Sequence, residues 1–394
     1  MKQLKKNPNK KALTTIFLIV FIDLVGFGLI LPLLPFIAEE FGANPLQIGL
    51  LVAIYSLFQF ISAPILGRLS DRFGRKKLLI ISQIGSAIGF LLLGMANSLT
   101  LLFASRIIDG ITGGNISIAQ AYIADVTTPK TRARGMGLIG AAFGLGFIIG
   151  PALSGLLSQI SFSAPAYFAS LTALLTAGLT AKVLKETVNT SKASKSPRTR
   201  LNLEQFKKVF SLYPIGILIV VFFFTNFSLS TLQGTFALWT ERSFGFGPAQ
   251  TGWLFAYVGV VSVVVQLKLL PALINKYKEV RVLKAAQLIF SLGLLILGLA
   301  AHPLVLIAVM PMIATGNGLS NPTIQALASE NVKPQEYGEV LGILQSAGSL
   351  GRIIGPVLGG MIFYLVDKDM VFFISSGLLL LVYFYTKKNL TSKS

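Results

Sequence analysis

The chain has no cysteine and a single histidine among its 394 residues. Disulfides, thiol chemistry and cysteine-ligated metals are thereby excluded, and no histidine-based metal or catalytic cluster can be assembled. His302 stands beside Pro303 at the start of an apolar run and reads as structural. Charge is also scarce. Only 12% of residues are charged and just 15 are acidic, against about 25% charged in soluble domains. Neither a phosphate-binding glycine loop nor a nucleophile elbow is present, so the sequence offers no catalytic constellation and no cofactor site.

What is present in abundance is apolar length. Hydrophobic residues make up 53% of the chain, with 38 glycines and a mean hydropathy of +0.74. The apolar residues fall in repeated runs of roughly 20, enough to cross a hydrocarbon core of about 30 Å as helix. Twelve spans are expected, near 12–38, 46–66, 78–96, 99–124, 135–160, 164–184, 210–239, 248–272, 281–300, 303–329, 339–365 and 370–386.

The net charge of +19 fits topology better than nucleic acid. Basic residues crowd the N-terminus, the 2–3 connection (Arg68, Arg72, Arg75, Lys76, Lys77), the 4–5 connection (Lys130, Arg132, Arg134) and the stretch around Lys276, Lys278 and Arg281. The alternate connections carry almost none. By the positive-inside rule both termini are cytoplasmic, in a multi-pass cell-membrane protein. The first apolar run is too long for a cleaved secretion signal and lacks its small-residue cleavage site. Residues 185–209 are polar, basic and serine-rich, which predicts a cytoplasmic linker between an N-terminal bundle at 1–184 and a C-terminal bundle at 210–394.

The two parts repeat one another. Residues 113–155 align without a gap on 318–360, placing Gly113 on Gly318, Gln120 on Gln325, Pro129 on Pro334, Gly150 on Gly355, Pro151 on Pro356 and Gly155 on Gly360. Parallel six-helix repeats of this kind build transporters whose substrate site lies near the bilayer midplane.

Four ordered motifs carry a family resemblance. "GRLSDRFGRKK" (67–77) resembles the cytoplasmic 2–3 loop signature of the major facilitator superfamily, and "SRIIDGITGG" (105–114) its fourth-helix arginine motif. "GFIIGPALSG" (146–155) resembles the fifth-helix motif of that superfamily's antiporters, and "DLVGFGLILPLLP" (23–35) the first helix of the tetracycline-exporter-like drug:proton antiporters. The resemblance implies an all-α membrane protein of twelve transmembrane helices in two pseudo-symmetric six-helix bundles. It implies proton-coupled efflux of a drug-like or amphipathic molecule by alternating access, with exporters of a sugar, amino acid or lipid, or a non-transporting sensor, as alternatives. The expected partners are a small-molecule substrate, protons and the lipid bilayer, with the chain acting as a monomer and no enzyme activity. Tetracycline exporters carry further acids in spans 3 and 9; these spans have none here, which favours another substrate.

Charges at bilayer depth are costly and mark function by default. Asp23 lies about 18 Å up from Lys11, and Arg106 roughly 12 Å down from Ser98, so their depths coincide. Asp109, three residues after Arg106, shares its helix face. Asp23, Arg106 and Asp109 are therefore the expected proton-coupling residues, one carboxylate taking up the proton beside the guanidinium. Substrate contacts are expected from Asp23, Asn226, Phe223, Phe227, Gln233, Trp253 and Tyr257, an apolar lining with a few polar handles. Arg352 takes the repeat position of Phe147. It suits an anionic substrate group, a partner carboxylate, or a snorkelling position. Glu241 and Arg242 read as an outer rim pair.

The gate is expected from Gly67, Asp71, Arg72, Gly74, Arg75 and Asp125, together with Gly146, Gly150, Pro151 and Gly155 of the fifth span. By resemblance, Asp71 faces the N-terminus of the eleventh helix and Arg75 pairs with Asp125. The corresponding second-half stretch, "PALINKYKEVRVL", keeps the basic residues but has Asn275 where Asp71 stands. The glycine motif of span 5 allows close helix approach and, by resemblance, seals against leakage.

Overall fold

The apolar runs become helices because only a helix satisfies every backbone N–H and C=O within its own segment in lipid. A computed structural model of the chain describes residues 10–188, 209–333 and 336–390. Most of the predicted linker therefore lies outside the described residues. Two contact units result: Met1–Gly42, Ile54–Ser196 and Pro248–Ala256 in one, and Ala43–Ala53, Pro197–Gly247 and Tyr257–Ser394 in the other, as far as these are described. The units follow the two repeats except that each takes in a short segment, 43–53 or 248–256, from the other repeat.

In the first unit, α1 (Lys10–Ile30) gives way to the short α2 (Leu34–Glu40). The turn at 31–33 contains Pro32, which has no N–H to continue the ladder. Then come α3 (Pro45–Phe73, from 54 onward), α4 (Arg75–Gly94), α5 (Leu99–Thr112), α6 (Asn115–Val126), α7 (Pro129–Leu157) and α8 (Ala164–Val183). The Ser98 side chain caps α5 by accepting from Leu101 N at 3.4 Å. Thr128 and Thr131 form a capping box on α7. α1 packs on α7 and α8, and α4 on α5 and α8. Ile16, Val20, Leu79, Ile118, Ile123 and Ala142 meet in the core between them.

The second unit comprises α9 (Ile215–Phe244), α10 (Pro248–Val264, from 257 onward), a π-helical turn at Val265–Leu269, α11 (Leu270–Tyr277), α12 (Glu279–Gly298), α13 (Val305–Glu330), α14 (Tyr337–Leu365) and α15 (Met370–Asn389). α9 packs along α14, and α12 against α13 and α15. Its core gathers Leu218, Phe222, Leu283, Ile324, Leu344 and Val382. The π turn precedes Pro271, where the ladder must re-register around a missing donor.

Helix occupies all twelve stretches expected as spans. Among the described residues, ten helices are long and apolar enough to cross a bilayer. The fourth expected span is instead two helices parted at Gly113 and Gly114, of 14 and 12 residues. The tenth is continuous over 26 residues but interrupted in hydropathy by Pro311, Asn317, Asn321, Pro322 and Gln325. Outward faces carry large apolar side chains, such as Leu175 at 65% exposure and Leu381 at 66%. Such surfaces suit lipid rather than water.

Candidate functional site

The helix break at Gly113–Gly114 sets the geometry of the first unit's interior. It starts α6 at Asn115, whose Nδ2 donates to Asp23 Oδ1 on α1 at 2.9 Å. Gln59 Nε2 donates to the carbonyl of Gly113 at 3.2 Å and to the Tyr55 hydroxyl at 2.9 Å, fixing the break against α3. On α5, Arg106 Nη1 lies 3.3 Å from Asp109 Oδ2, the one-turn pair that their spacing allows. The Arg106 guanidinium also sits 5.9 Å from the Tyr55 ring and 5.8 Å from the Phe90 ring. Both members of this ion pair are buried. Asp23 therefore meets an amide, while Arg106 forms its ion pair with Asp109. A small cavity beside Asp23 is lined by Gln83, Ser86, Phe90, Asn115 and Thr176, among others.

The second unit holds a polar string across three helices. Arg352 Nη1 donates to Asn226 Oδ1 at 3.3 Å and Nη2 to Ser349 Oγ at 2.8 Å. Asn226 Nδ2 donates to Phe222 O at 2.8 Å and to Asn321 Oδ1 at 3.3 Å; Asn321 Nδ2 in turn donates to Asn317 Oδ1 at 3.1 Å. Phe223, Phe224 and Phe227 form a ring cluster beside it, with centroids 5.0–6.4 Å apart. These aromatic residues and Asn226 come together as a group. Gln233 is partly buried two turns further along α9. Trp253 and Tyr257 share an exposed face of α10, and the Tyr257 hydroxyl donates to Ile307 O at 3.1 Å. Arg242 stacks its guanidinium 5.2 Å from the Phe363 ring, and His302 Nδ1 accepts from Leu304 N at 3.2 Å, a loop cap.

At the junction of α3 and α4 the cluster 67–77 is organised around Arg75, which is 8% exposed. Its guanidinium pairs with Asp71 one turn earlier. It also donates to Ser70 Oγ at 2.6 Å, to Gly67 O at 3.4 Å and to Asp125 Oδ2 at 3.2 Å. Asp71, 53% exposed at its side chain, thus has Arg75 as its described ion partner. Arg72 is exposed, with its guanidinium over the Phe73 ring.

Glu186, in the stretch read from sequence as a basic linker, completes the cluster. Its Oε1 accepts from Arg75 N at 2.8 Å and from Thr187 N at 3.0 Å, a carboxylate at the positive start of α4. Thr187 Oγ1 donates to Asp125 Oδ2 at 2.9 Å. The only signal for this role was an acid in an otherwise basic segment. Gly74 has φ of +105°, and a Cβ there would run into the Glu186 carboxylate. Gly74→Ala therefore meets both backbone strain and displacement of the cap. A loss of about 1–3 kcal/mol of stability is expected in thermal unfolding.

The glycine motif of α7 works by proximity. A Cβ on Gly150 would lie 2.8 Å from Val25 O and 2.9 Å from Gly28 Cα, so α7 and α1 touch backbone to backbone. Gly146 faces Leu24 of the same helix, Pro151 packs by its ring on Gly28, and Gly155 meets Ala249. Its repeat, Gly355 in α14, lies equally close to Phe227 O of α9.

Comparison with known proteins now fixes the family. The family model described as Major Facilitator Superfamily matches residues 16–269 and 218–393. The chain belongs to the Major Facilitator Superfamily. It is 32% identical over 358 residues to a tetracycline resistance protein, class H, of Pasteurella multocida, covering 90% of this chain and 89% of that one. It is 31% identical over 369 residues to Multidrug resistance protein 2 of Bacillus subtilis (strain 168), covering 91% of each. Among solved structures, the human organic anion transporter MFSD10 (TETRAN) superposes with a TM-score of 0.73 at 27% identity, covering 97% of this chain and 100% of that one. Superfamily membership makes the chain a multi-span membrane protein that handles a small molecule, and the helical architecture above is the superfamily fold.

Proposed function

We propose that this chain is a proton-coupled exporter of drug-like or amphipathic molecules, working by alternating access as a monomer with both termini in the cytoplasm. The reading rests on two carboxylates inside the first unit, Asp109 buried and Asp23 partly buried. Asp23 is held by an amide and Asp109 by Arg106, at a depth where charge persists only with a use. Similarity to tetracycline and multidrug resistance proteins over about nine-tenths of the chain supports the direction and the class of cargo. The division into bundles at 1–184 and 210–394 with a linker between them belongs to the same reading.

In it, the string of Arg352, Asn226 and the phenylalanine cluster contacts the substrate, as do Gln233, Trp253 and Tyr257. Residues 67–75 with Asp125 and Glu186 form a cytoplasmic latch, and the α7 glycines seal the bundle. The chain has no enzymatic step in this account. A second reading, export of an organic anion, is favoured by the Arg352 guanidinium and by the likeness to the human organic anion transporter.

Everted vesicles from an exporter-deficient host test both readings. Addition of a transported cationic or neutral drug is expected to discharge a preset pH gradient. Gradient discharge by organic anions only would select the second reading, and no discharge by any substrate that the chain confers resistance to would refute proton coupling.

A further inference from the structure

Besides the two carboxylates, the first unit buries polar atoms that no protein group answers. Among the described residues, Gln83 Nε2 and Oε1, Ser86 Oγ, Asn115 Oδ1 and Arg106 Nε and Nη2 make no hydrogen bond. Gln83, Ser86, Asn115 and Asp23 line one cavity among α1, α4, α6 and α8. Gln83 is 3% exposed and Ser86 2%, so bulk solvent does not answer them either. Ser86 also lies beside Asp109. One wall of the cavity is thus the Asp23 carboxylate, and another leads to the Asp109–Arg106 pair.

The mixture of orphaned atoms selects the occupant. A metal ion would satisfy the oxygens of Gln83, Ser86 and Asn115, but would leave the Gln83 amide N–H unanswered. It would also sit near a permanent guanidinium charge. Water both donates and accepts, and buried waters typically make about three hydrogen bonds to such groups. The cavity's small size suits a water molecule or two rather than an organic ligand.

We infer that this cavity houses a water cluster, held by Gln83, Ser86 and Asn115, through which a proton passes between Asp23 and Asp109. The step balances without any other reactant. The carboxyl O–H of one aspartate breaks as its proton joins a water oxygen. That water releases a different proton to the carboxylate of the other aspartate. The charge of the two aspartates together is unchanged, and Arg106 keeps a hydrogen bond to Asp109, an ion pair only while the proton is on Asp23. Gln83 is then a positioning residue that orients the waters.

The repeat supplies an internal control. Gln287, at the corresponding place in α12, is buried and likewise has both amide atoms unanswered among the described residues. Yet residues 280–329 contain no acid. An amide at this position without carboxylates has no proton to relay.

The inference rests on proton coupling through Asp23, so the test separates the two. Proton flux on drug addition is measured in proteoliposomes containing the full chain. Gln83→Leu, apolar and of similar volume, is expected to slow drug-linked proton flux about tenfold, the cost of one lost hydrogen bond of roughly 1.4 kcal/mol in the barrier. Gln83→Ser, smaller but polar and roomy enough for another water, is expected to stay within about threefold of wild type, well short of that loss. Gln287→Leu is expected to leave the flux unchanged. A packing role for Gln83 predicts the reverse order, with Ser worse than Leu, and that result would overturn the inference. So would normal flux in Gln83→Leu, or loss of flux in Gln83→Ser should the Leu variant fail to fold. If Asp23→Asn retains coupling, the reading of Asp23 fails and the relay fails with it, whereas normal flux in Gln83→Leu beside lost coupling in Asp23→Asn overturns the relay alone.

Discussion

Replacement of Asp23 by asparagine is expected to abolish drug-linked proton movement while leaving the helical bundle intact. The substitution keeps the shape of the side chain and an oxygen for Asn115 Nδ2, which now donates to Asp23 Oδ1 at 2.9 Å. It removes the one property that an amide lacks, the ability to take up and release a proton. A side-chain amide retaining its hydrogen bond is expected to shift stability by no more than about 1 kcal/mol. Coupling, in contrast, falls to the level of protein-free liposomes. Thermal unfolding and proton flux measured on the same preparation check both halves of the expectation. A coupled variant with normal flux would assign the proton to Asp109, whose Arg106 partner lies 3.3 Å away.

The second large effect is expected at the proposed latch. Asp71 is half exposed, so its ion pair with Arg75 contributes only about 0–1 kcal/mol to folding. Asp71→Asn should therefore fold normally and bind drug with unchanged affinity. Its effect falls on the balance between the closed and open cytoplasmic sides. A shift of about 1 kcal/mol, the top of that range, changes a two-state population about fivefold, so transport is expected to drop by up to about that figure. Arg75→Gln is expected to do more. The Arg75 guanidinium is buried and joins Ser70, Gly67 and Asp125, so the loss of charge-assisted bonds costs about 1.5–3 kcal/mol each where the partner stays buried. Binding titrations alongside transport rates separate the two variants. Normal transport in Asp71→Asn would reduce the cluster to a topology anchor.

The contrast between these residues and the rest of the chain shows what a sequence exposes. Hydropathy and positive connections outline the spans because the bilayer penalises any unpaired backbone or charge in its core. The 113–155 and 318–360 repeat is visible because close helix contacts demand glycine, and Gly150 and Gly355 do touch neighbouring backbones. Asp23, Arg106 and Asp109 stand out through the rarity of charge, and the Arg106–Asp109 pair follows from helical spacing.

Partners distant in sequence are another matter. Asn115 is 92 residues from Asp23, and Glu186 is 111 residues from the backbone it caps. Nothing in local composition marks either pairing. Gln83 is the extreme case, since a neutral amide inside a span carries no warning until its neighbours are known. The break of the fourth span at Gly113 and Gly114 was hidden for a related reason. Glycine pairs in lipid serve packing as readily as interruption, and only Gln59 reaching the Gly113 carbonyl shows which applies.

In the proposed mechanism, drug-for-proton exchange runs through the carboxylates of the first unit. It is tested most directly by calorimetry of drug binding to the purified full chain in buffers of different ionisation enthalpy. The apparent binding enthalpy is expected to vary with the buffer in wild type, reporting protons released as the drug binds, and this dependence is expected to vanish in Asp23→Asn. A binding enthalpy independent of buffer in the wild-type protein would contradict it.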